Sequence, residues 1–301
     1  MKILVLGGGL SPERQVSLRS AKNIANAARA AGFEVQEADP ADGFSILDGL
    51  KDTVVFPILH GKNGEDGVIQ KELEDRKLPY LGSSSQASAE CFDKWQSRTL
   101  MQEAGIPMPK AYLVNEKTYR TQALASLPHV LKIVHGGSSI GVLIVRDPSK
   151  VAEHEINEIF AMEEQAVLEE LIGGTEITIP ILGNKALPVI EIRPPTNAEF
   201  DYENKYNGAT AELCPAESVS AELQAQARVL AEKVHQATNC RHLSRVDMML
   251  DKSGQLYVLE TNIMPGLTEQ SLYPKAAAVA GYDMPKLIKQ FVDLVKQDFK
   301  N

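Results

Sequence analysis

Between Arg245 and Asn262 the chain alternates in a way that leaves few folds open. Arg245-Val246-Asp247-Met248-Met249-Leu250 leads into Asp251-Lys252-Ser253-Gly254 and then into Leu256-Tyr257-Val258-Leu259-Glu260-Thr261-Asn262. Two runs rich in Val, Leu and Met around a stretch of turn residues read as a β-hairpin. Side chains alternate along a strand, so Arg245 and Asp247 share one face, as do Glu260 and Asn262 on the second strand. A turn centred on Lys252 and Ser253 brings Asp247 opposite or diagonal to Glu260. Two bare carboxylates that close repel each other, and a hard divalent cation such as Mg²⁺, held by oxygens and some water, neutralises them. The competing reading is a solvated ribbon, and the apolar residues on both strands argue against it.

Composition narrows the class of partner. The chain has 301 residues, 44% of them hydrophobic, enough for a large core and for two or three domains. A formal net charge of −9 disfavours nucleic acid or anionic membrane as the main partner, since both call for a basic footprint. Cys91, Cys214 and Cys240 are odd in number and far apart, which indicates neither a disulfide framework nor a zinc site. The apolar run after Met1-Lys2 is too short for a signal peptide. No apolar stretch approaches the ~18 residues of a membrane helix. A cytoplasmic protein is expected.

The pass along the chain suggests three α/β units. Residues 2–6 read as a buried parallel strand, followed by the turn Gly7-Gly8-Gly9 and a helix from Ser17 to Ala31 that Gly32 stops. Phe33–Val35 and Thr53–Leu59 are further strands, and strand, helix, strand marks a parallel layer. Gly82-Ser83-Ser84-Ser85 reads as a small polar linker, so a boundary falls after residue 85. The second unit, 86–167, opens with a helix carrying Lys94 and includes strands at His129–Val134 and Gly141–Val145. The third, 168–301, has strands at Thr175–Leu182 and Ala186–Ile192, a helix at Ala221–Ala237, the hairpin, and a terminal helix after Pro285.

Several loops carry chemistry. Pro12 stands where a third glycine would complete the dinucleotide fingerprint, and no phosphate-binding Gly-x4-Gly-Lys-Ser/Thr run occurs. The glycine turn still lets a ligand approach the backbone. His135-Gly136-Gly137-Ser138-Ser139 reads either as a plain turn or as a loop whose N–H groups fold over phosphate oxygens. Lys132, inside an apolar strand between Leu131 and Ile133, calls for an anion, which a triphosphate supplies. His60–Gly67 follows a buried strand, where α/β proteins bind ligands. Asp201–Gly208 reads as an exposed loop whose aromatics suit a lid.

In order and spacing these segments resemble the D-alanine–D-alanine ligases of the ATP-grasp superfamily over nearly the whole chain. The resemblance rests on Gly7–Leu18, His60–Gly67, Pro79–Ser83, Asp93-Lys94, Gly137–Val142, Asp201–Tyr206, Arg245–Asp247, Glu260–Asn262, Pro265–Thr268 and Ser271-Leu272. It implies an ATP-grasp fold, with an N-terminal parallel-sheet domain and two α+β subdomains enclosing ATP. It also implies two Mg²⁺ or Mn²⁺ ions, a homodimer, and D-alanyl-D-alanine made for cell-wall peptidoglycan. By the same resemblance Lys94 and Lys132 hold ATP phosphates, Glu169, Glu170, Ile172 and Glu176 meet adenine and ribose, and Ser139 and Lys205 also bind the cofactor. Asp247, Glu260 and Asn262 hold the metals. Glu13, Ser138 and Tyr206 form a hydrogen-bonded triad, with His60 and Val16 beside the first D-alanine. Arg245 and the N–H of Gly266 face the oxyanion, and Ser271 and Leu272 bind the second D-alanine.

The chain departs from the common pattern at Ile133, His135-Gly136, Glu170 and Ile263-Met264. None of these belongs to the triad or the metal set. A ligase that joins D-alanine to D-lactate or another D-amino acid is the alternative within the class. A non-catalytic nucleotide-binding module is the alternative outside it.

Overall fold

The computed structural model describes residues 1–137, 140–195 and 210–299. In chain order the strands are β1 (Lys2–Leu6), β2 (Glu34–Ala38), β3 (Thr53–Pro57), β4 (Ala111–Asn115), β5 (His129–Ile133), β6 (Val142–Val145), β7 (Gln165–Glu170), β8 (Gly174–Leu182), β9 (Lys185–Ala186), β10 (Ile190–Arg193), β11 (Ala211–Leu213), β12 (Leu243–Asp251) and β13 (Leu256–Asn262). The helices that position the cleft are α1 (Arg14–Ala30), α2 (Val68–Asp75), α3 (Ser85–Phe92), α4 (Lys94–Glu103), α5 (Glu116–Tyr119), α6 (Glu153–Met162), α7 (Ala221–Ala237), α8 (Leu272–Val279) and α9 (Met284–Asp298).

Three sheets result. β2-β1-β3 is parallel, as the near-continuous apolar runs of β1 and β3 require of strands covered on both faces. β4-β7-β5-β6 is antiparallel, and so is β11-β10-β8-β12-β13, with β9 appended to β8. A cleft runs between the second and third sheets.

One core joins the first sheet to the third: Ile3, Val5 and Phe56 pack in the same cluster as Leu182, Leu243, Tyr273 and Phe291. Phe291 meets Phe56 edge-on with centroids 6.3 Å apart and Tyr273 at 6.1 Å. The Tyr273 hydroxyl, fully buried, donates to the Ile181 carbonyl at 2.8 Å, as a buried phenol must. The second sheet has its own core, built from Val114, Tyr119, Leu131, Ile156 and Leu168. Among the described residues no helix is long and apolar enough to cross a membrane.

Local chemistry explains where the elements depart from the sequence expectations. α1 starts three residues early, because Ser11 turns the chain: its carbonyl accepts from Arg14 N at 3.0 Å and its hydroxyl from Glu13 N at 3.2 Å. Gly7 lets α1 lie against β1, since a Cβ there would sit 2.4 Å from that of Ala21. The stretch read as a polar linker is anchored. Ser84 caps α3, Ser83 is buried, Gly82 N donates to His242 Nδ1 at 3.1 Å, and Arg241 Nε donates to the Gly82 carbonyl at 2.9 Å. The strand expected over 186–192 is broken around Pro188, which has no N–H for the ladder.

Phe291 ties two sheets through one ring, so Phe291→Ala should cost about 3–5 kcal/mol. Chemical denaturation of the two proteins measures the difference. A loss below about 1 kcal/mol would mean the ring is not part of a shared core.

Candidate active site

The hairpin is built around an irregularity. β12 and β13 pair Met248 with Val258 but Asp247 with Glu260, leaving Leu259 as an extra residue. Such a bulge shifts the alternation by one. Val258 therefore points into the core with Val246 and Met248, under α7, while Glu260 turns to the cleft opposite Asp247. The same ladder pairs Asp247 with Thr178 on β8, and Arg245 with Pro180 and Asn262. Two rows thus cross the sheet on its cleft face, Thr178–Asp247–Glu260 and Pro180–Arg245–Asn262.

Arg245 grips Asp247 with two bonds, Nε to Oδ1 at 2.8 Å and Nη2 to Oδ2 at 2.7 Å. Thr178 Oγ1 donates to Oδ1 at 2.5 Å. Asn262 Oδ1 accepts from Met264 N at 2.9 Å, which fixes the amide on the turn leaving β13. No cluster of three or more His, Cys, Asp or Glu among the described residues would hold an ion by itself. Two carboxylates and an amide would suit a hard divalent cation if an anionic substrate and water supplied its remaining oxygens.

Across the cleft stand the cations. Lys94, the first residue of α4, reaches the Gly136 carbonyl, and its backbone N donates to the Val134 carbonyl at 3.0 Å. Burial pushes the Lys94 ammonium below its ordinary pKa against the pull of Glu260, and the neighbouring Lys132 pushes it further down. An incoming polyanion reverses that balance. Lys132 already has an anion, the carboxylate of Glu169 facing it from β7. Arg98 approaches the same carboxylate at 3.8 Å, and burial lowers the guanidinium's pKa.

The other end of the cleft lies at the first sheet. His60 is buried with Nδ1 3.7 Å from Glu65 Oε1, and its Nε2, also buried, has no hydrogen-bond partner among the described residues. Glu65 Oε2 accepts from Gly61 N at 2.8 Å. A Cβ on Gly61 would lie 3.0 Å from Glu13 Oε2, so Glu13 faces the same backbone. Burial opposes the imidazolium, but Glu65 and then Glu13 outweigh it and raise the His60 pKa. Ser271 Oγ accepts from Thr268 N at 3.0 Å and sits beside Gly266, where a Cβ would come within 3.0 Å of it.

The cleft is open to solvent, and the space within it, open solvent included, is about 1080 Å³. Of the residues singled out from sequence, Glu13, Val16, His60, Lys94, Lys132, Glu169, Arg245, Glu260, Asn262 and Gly266 line it together. Asp247 lies directly behind, at the foot of Arg245. Glu176 is one step along β8 from Thr178. Glu170 is exposed at the end of β7, with Ile172 just beyond it. Ser271 and Leu272 start α8 next to Gly266. Ser138, Ser139, Lys205 and Tyr206 lie outside the described residues. Sequence reasoning missed Arg98, Glu65 and Thr178. Arg98, one helical turn after Lys94, carried a usable signal in its i,i+4 spacing.

Antiparallel sheets closing on a cleft, with lysines on one side and paired carboxylates on the other, form the ATP-grasp fold. The model of the D-ala D-ala ligase C-terminus matches residues 100–293, and that of the N-terminus matches 34–83. The chain is 39% identical over 303 residues to the D-alanine–D-alanine ligase of Methylobacterium radiotolerans and 40% over 298 residues to that of Xanthobacter autotrophicus. In both cases 97% of each chain is covered. The D-alanine–D-alanine ligase of Bacillus anthracis superposes with a TM-score of 0.87 at 32% identity, covering 100% of this chain and 99% of that one. The same enzyme complexed with ATP gives 0.84 at 30%. The chain belongs to the D-alanine–D-alanine ligase family.

The His60 cluster has a pH signature. A folded pKa above the ordinary 6.5 means the imidazolium's contribution to stability is complete below that value and is lost as pH rises through the raised pKa. Histidine NMR should find His60 titrating above 6.5, with Glu65→Gln moving it down. An unchanged His60 pKa in Glu65→Gln would exclude Glu65 as the cause.

Proposed function

We propose that the cleft activates the carboxylate of one D-alanine with ATP and joins it to a second, giving ADP, phosphate and D-alanyl-D-alanine for peptidoglycan. The observation that carries this is the cleft that gathers Lys94, Lys132, Glu260 and Arg245, with Asp247 paired to Glu260 and bonded to Arg245 just behind.

A carboxylate is a poor electrophile, and its acylphosphate is a good one. Phosphoryl transfer needs positioning and charge neutralisation more than covalent help. Lys94 and Lys132 hold the phosphates, and binding draws Lys132 partly away from Glu169. The apolar wall of Val167, Leu259 and Met108 suits the adenine, with Glu169, Glu170, Ile172 and Glu176 toward the base and ribose. Ser139 and Lys205 join the phosphate side. Asp247, Glu260 and Asn262 seat two Mg²⁺ or Mn²⁺ ions, which when bound supply positive charge at the transferring group.

Glu13, beside His60 and Val16, holds the ammonium of the first D-alanine; the unpartnered Nε2 of His60 suits a polar group of that molecule. Ser271 and Leu272 receive the carboxylate of the second. Its amine attacks the acyl carbon, and Arg245 with the N–H of Gly266 stabilises the oxyanion, one such donor being worth ~3 kcal/mol. We assign Ser138 and Tyr206 to act with Glu13, and residues 201–208 to shield the acylphosphate from water. The working form is a cytoplasmic homodimer.

ADP release coupled to a spectroscopic assay tests the reading. Activity should require D-alanine, and D-lactate as second substrate should be the poorer acceptor at neutral pH. D-lactate preferred over D-alanine would sink the dipeptide assignment. Asp247→Asn should lower kcat at least 100-fold in the same assay, and near-normal turnover would remove Asp247 from the metal seat.

A further inference from the structure

We propose that Thr178 is a positioning residue of the metal seat, its hydroxyl fixing the carboxylate of Asp247 in the orientation a cation would meet. The inference rests on the assignment of Asp247 to the metal.

Along β8 the side chains of Ile177, Ile179 and Ile181 are fully buried in the core. The alternate face carries Glu176, Thr178 and Pro180, which places Thr178 directly beside Asp247 in the ladder. Only 2% of Thr178 is exposed, so its hydroxyl needs a partner inside the protein. The hydroxyl has one proton and two acceptors in reach, Asp247 Oδ1 at 2.5 Å and the Val246 carbonyl at 3.4 Å. Distance gives the proton to Asp247.

Asp247 Oδ1 then accepts from Thr178 and from Arg245 Nε, two donors for the two lone pairs of one oxygen. Oδ2 accepts from Arg245 Nη2 at 2.7 Å, so the hydroxyl of Thr178 adds to Oδ1 a donor that does not come from Arg245. Without the hydroxyl, the carboxylate loses a donor that lies on β8 and not on its own strand. Arg245 is also the group assigned to the oxyanion, so Thr178 gives Asp247 an anchor that does not move with Arg245.

The test compares Thr178→Val, an isosteric β-branched residue that the strand accommodates, with Thr178→Ser, which keeps the hydroxyl, and with Asp247→Asn. Mn²⁺ binding in the presence of ADP is followed by electron paramagnetic resonance, and Mg²⁺ activation and the KM for D-alanine by the ADP assay. Thr178→Val should bind Mn²⁺ about tenfold more weakly, the lower end of what outer partners of metal ligands contribute. It should need correspondingly more Mg²⁺, with the KM for D-alanine unchanged, and Thr178→Ser should restore both. Unaltered Mn²⁺ affinity in Thr178→Val, or Thr178→Ser as weak as Thr178→Val, overturns the proposal. Should the valine chain fail to fold, Thr178→Ala takes its place with the same criterion. If Asp247→Asn binds Mn²⁺ as the parent does, the metal assignment itself has failed, a result distinct from failure at Thr178 alone.

Discussion

A single extra residue sets the geometry on which this site depends. Without the bulge at Leu259, strict pairing would set Leu259 opposite Asp247 and send Glu260 into the core beneath α7. Burying a carboxylate among Val246, Met248 and Val258 would be prohibitive, and the cleft would lose half of its acidic pair. The bulge lets one strand serve both masters: apolar up to Val258, acidic from Glu260 onward. Like charges opposite each other destabilise a sheet, and here the ladder from β8 through β13 holds them together regardless. Arg245 and Thr178 offset part of the cost from one side.

The opposite wall solves the mirror problem. Lys94, Lys132 and Arg98 are gathered with little water around them, and Glu169 sits between Lys132 and Arg98 as a resident counter-charge. Buried charges need partners, and a site made to receive a polyanion must be stable before the polyanion arrives. Glu169 meets that need without neutralising Lys94, whose depressed pKa marks it as the cation with most to gain from a phosphate.

Much of this was legible from local pattern. The hairpin, the shared face of Arg245 and Asp247, the parallel first layer and the span of α7 follow from alternation and helical period, and all appear as expected. The facing of Asp247 and Glu260 was legible only as opposite or diagonal, because the adjacent pair Val258-Leu259 hides the bulge among apolar residues. Thr178 could not be read as special: a threonine in a strand of isoleucines is ordinary, and only the register of β8 against β12 gives its hydroxyl a carboxylate. Gly82–Ser85 misled for a related reason. Small polar residues signal a linker by composition, but the groups that bind them, Arg241 and His242, lie about 160 residues away in sequence.

The division of the cores has a further consequence. The wall beside His60 belongs to an apolar cluster running from Ile3 to Phe291, the hairpin packs under α7 in a second, and the sheet carrying Lys132 and Glu169 is packed on its own. Effects of substitutions in separate cores tend to add rather than interact. Variation in the core of the second sheet is therefore felt first on the wall that carries Lys132 and Glu169, and it reaches the His60 end through the segment after β5, where Gly137 comes close to Glu13 and Glu65. The two walls rest on separate foundations and meet at that segment.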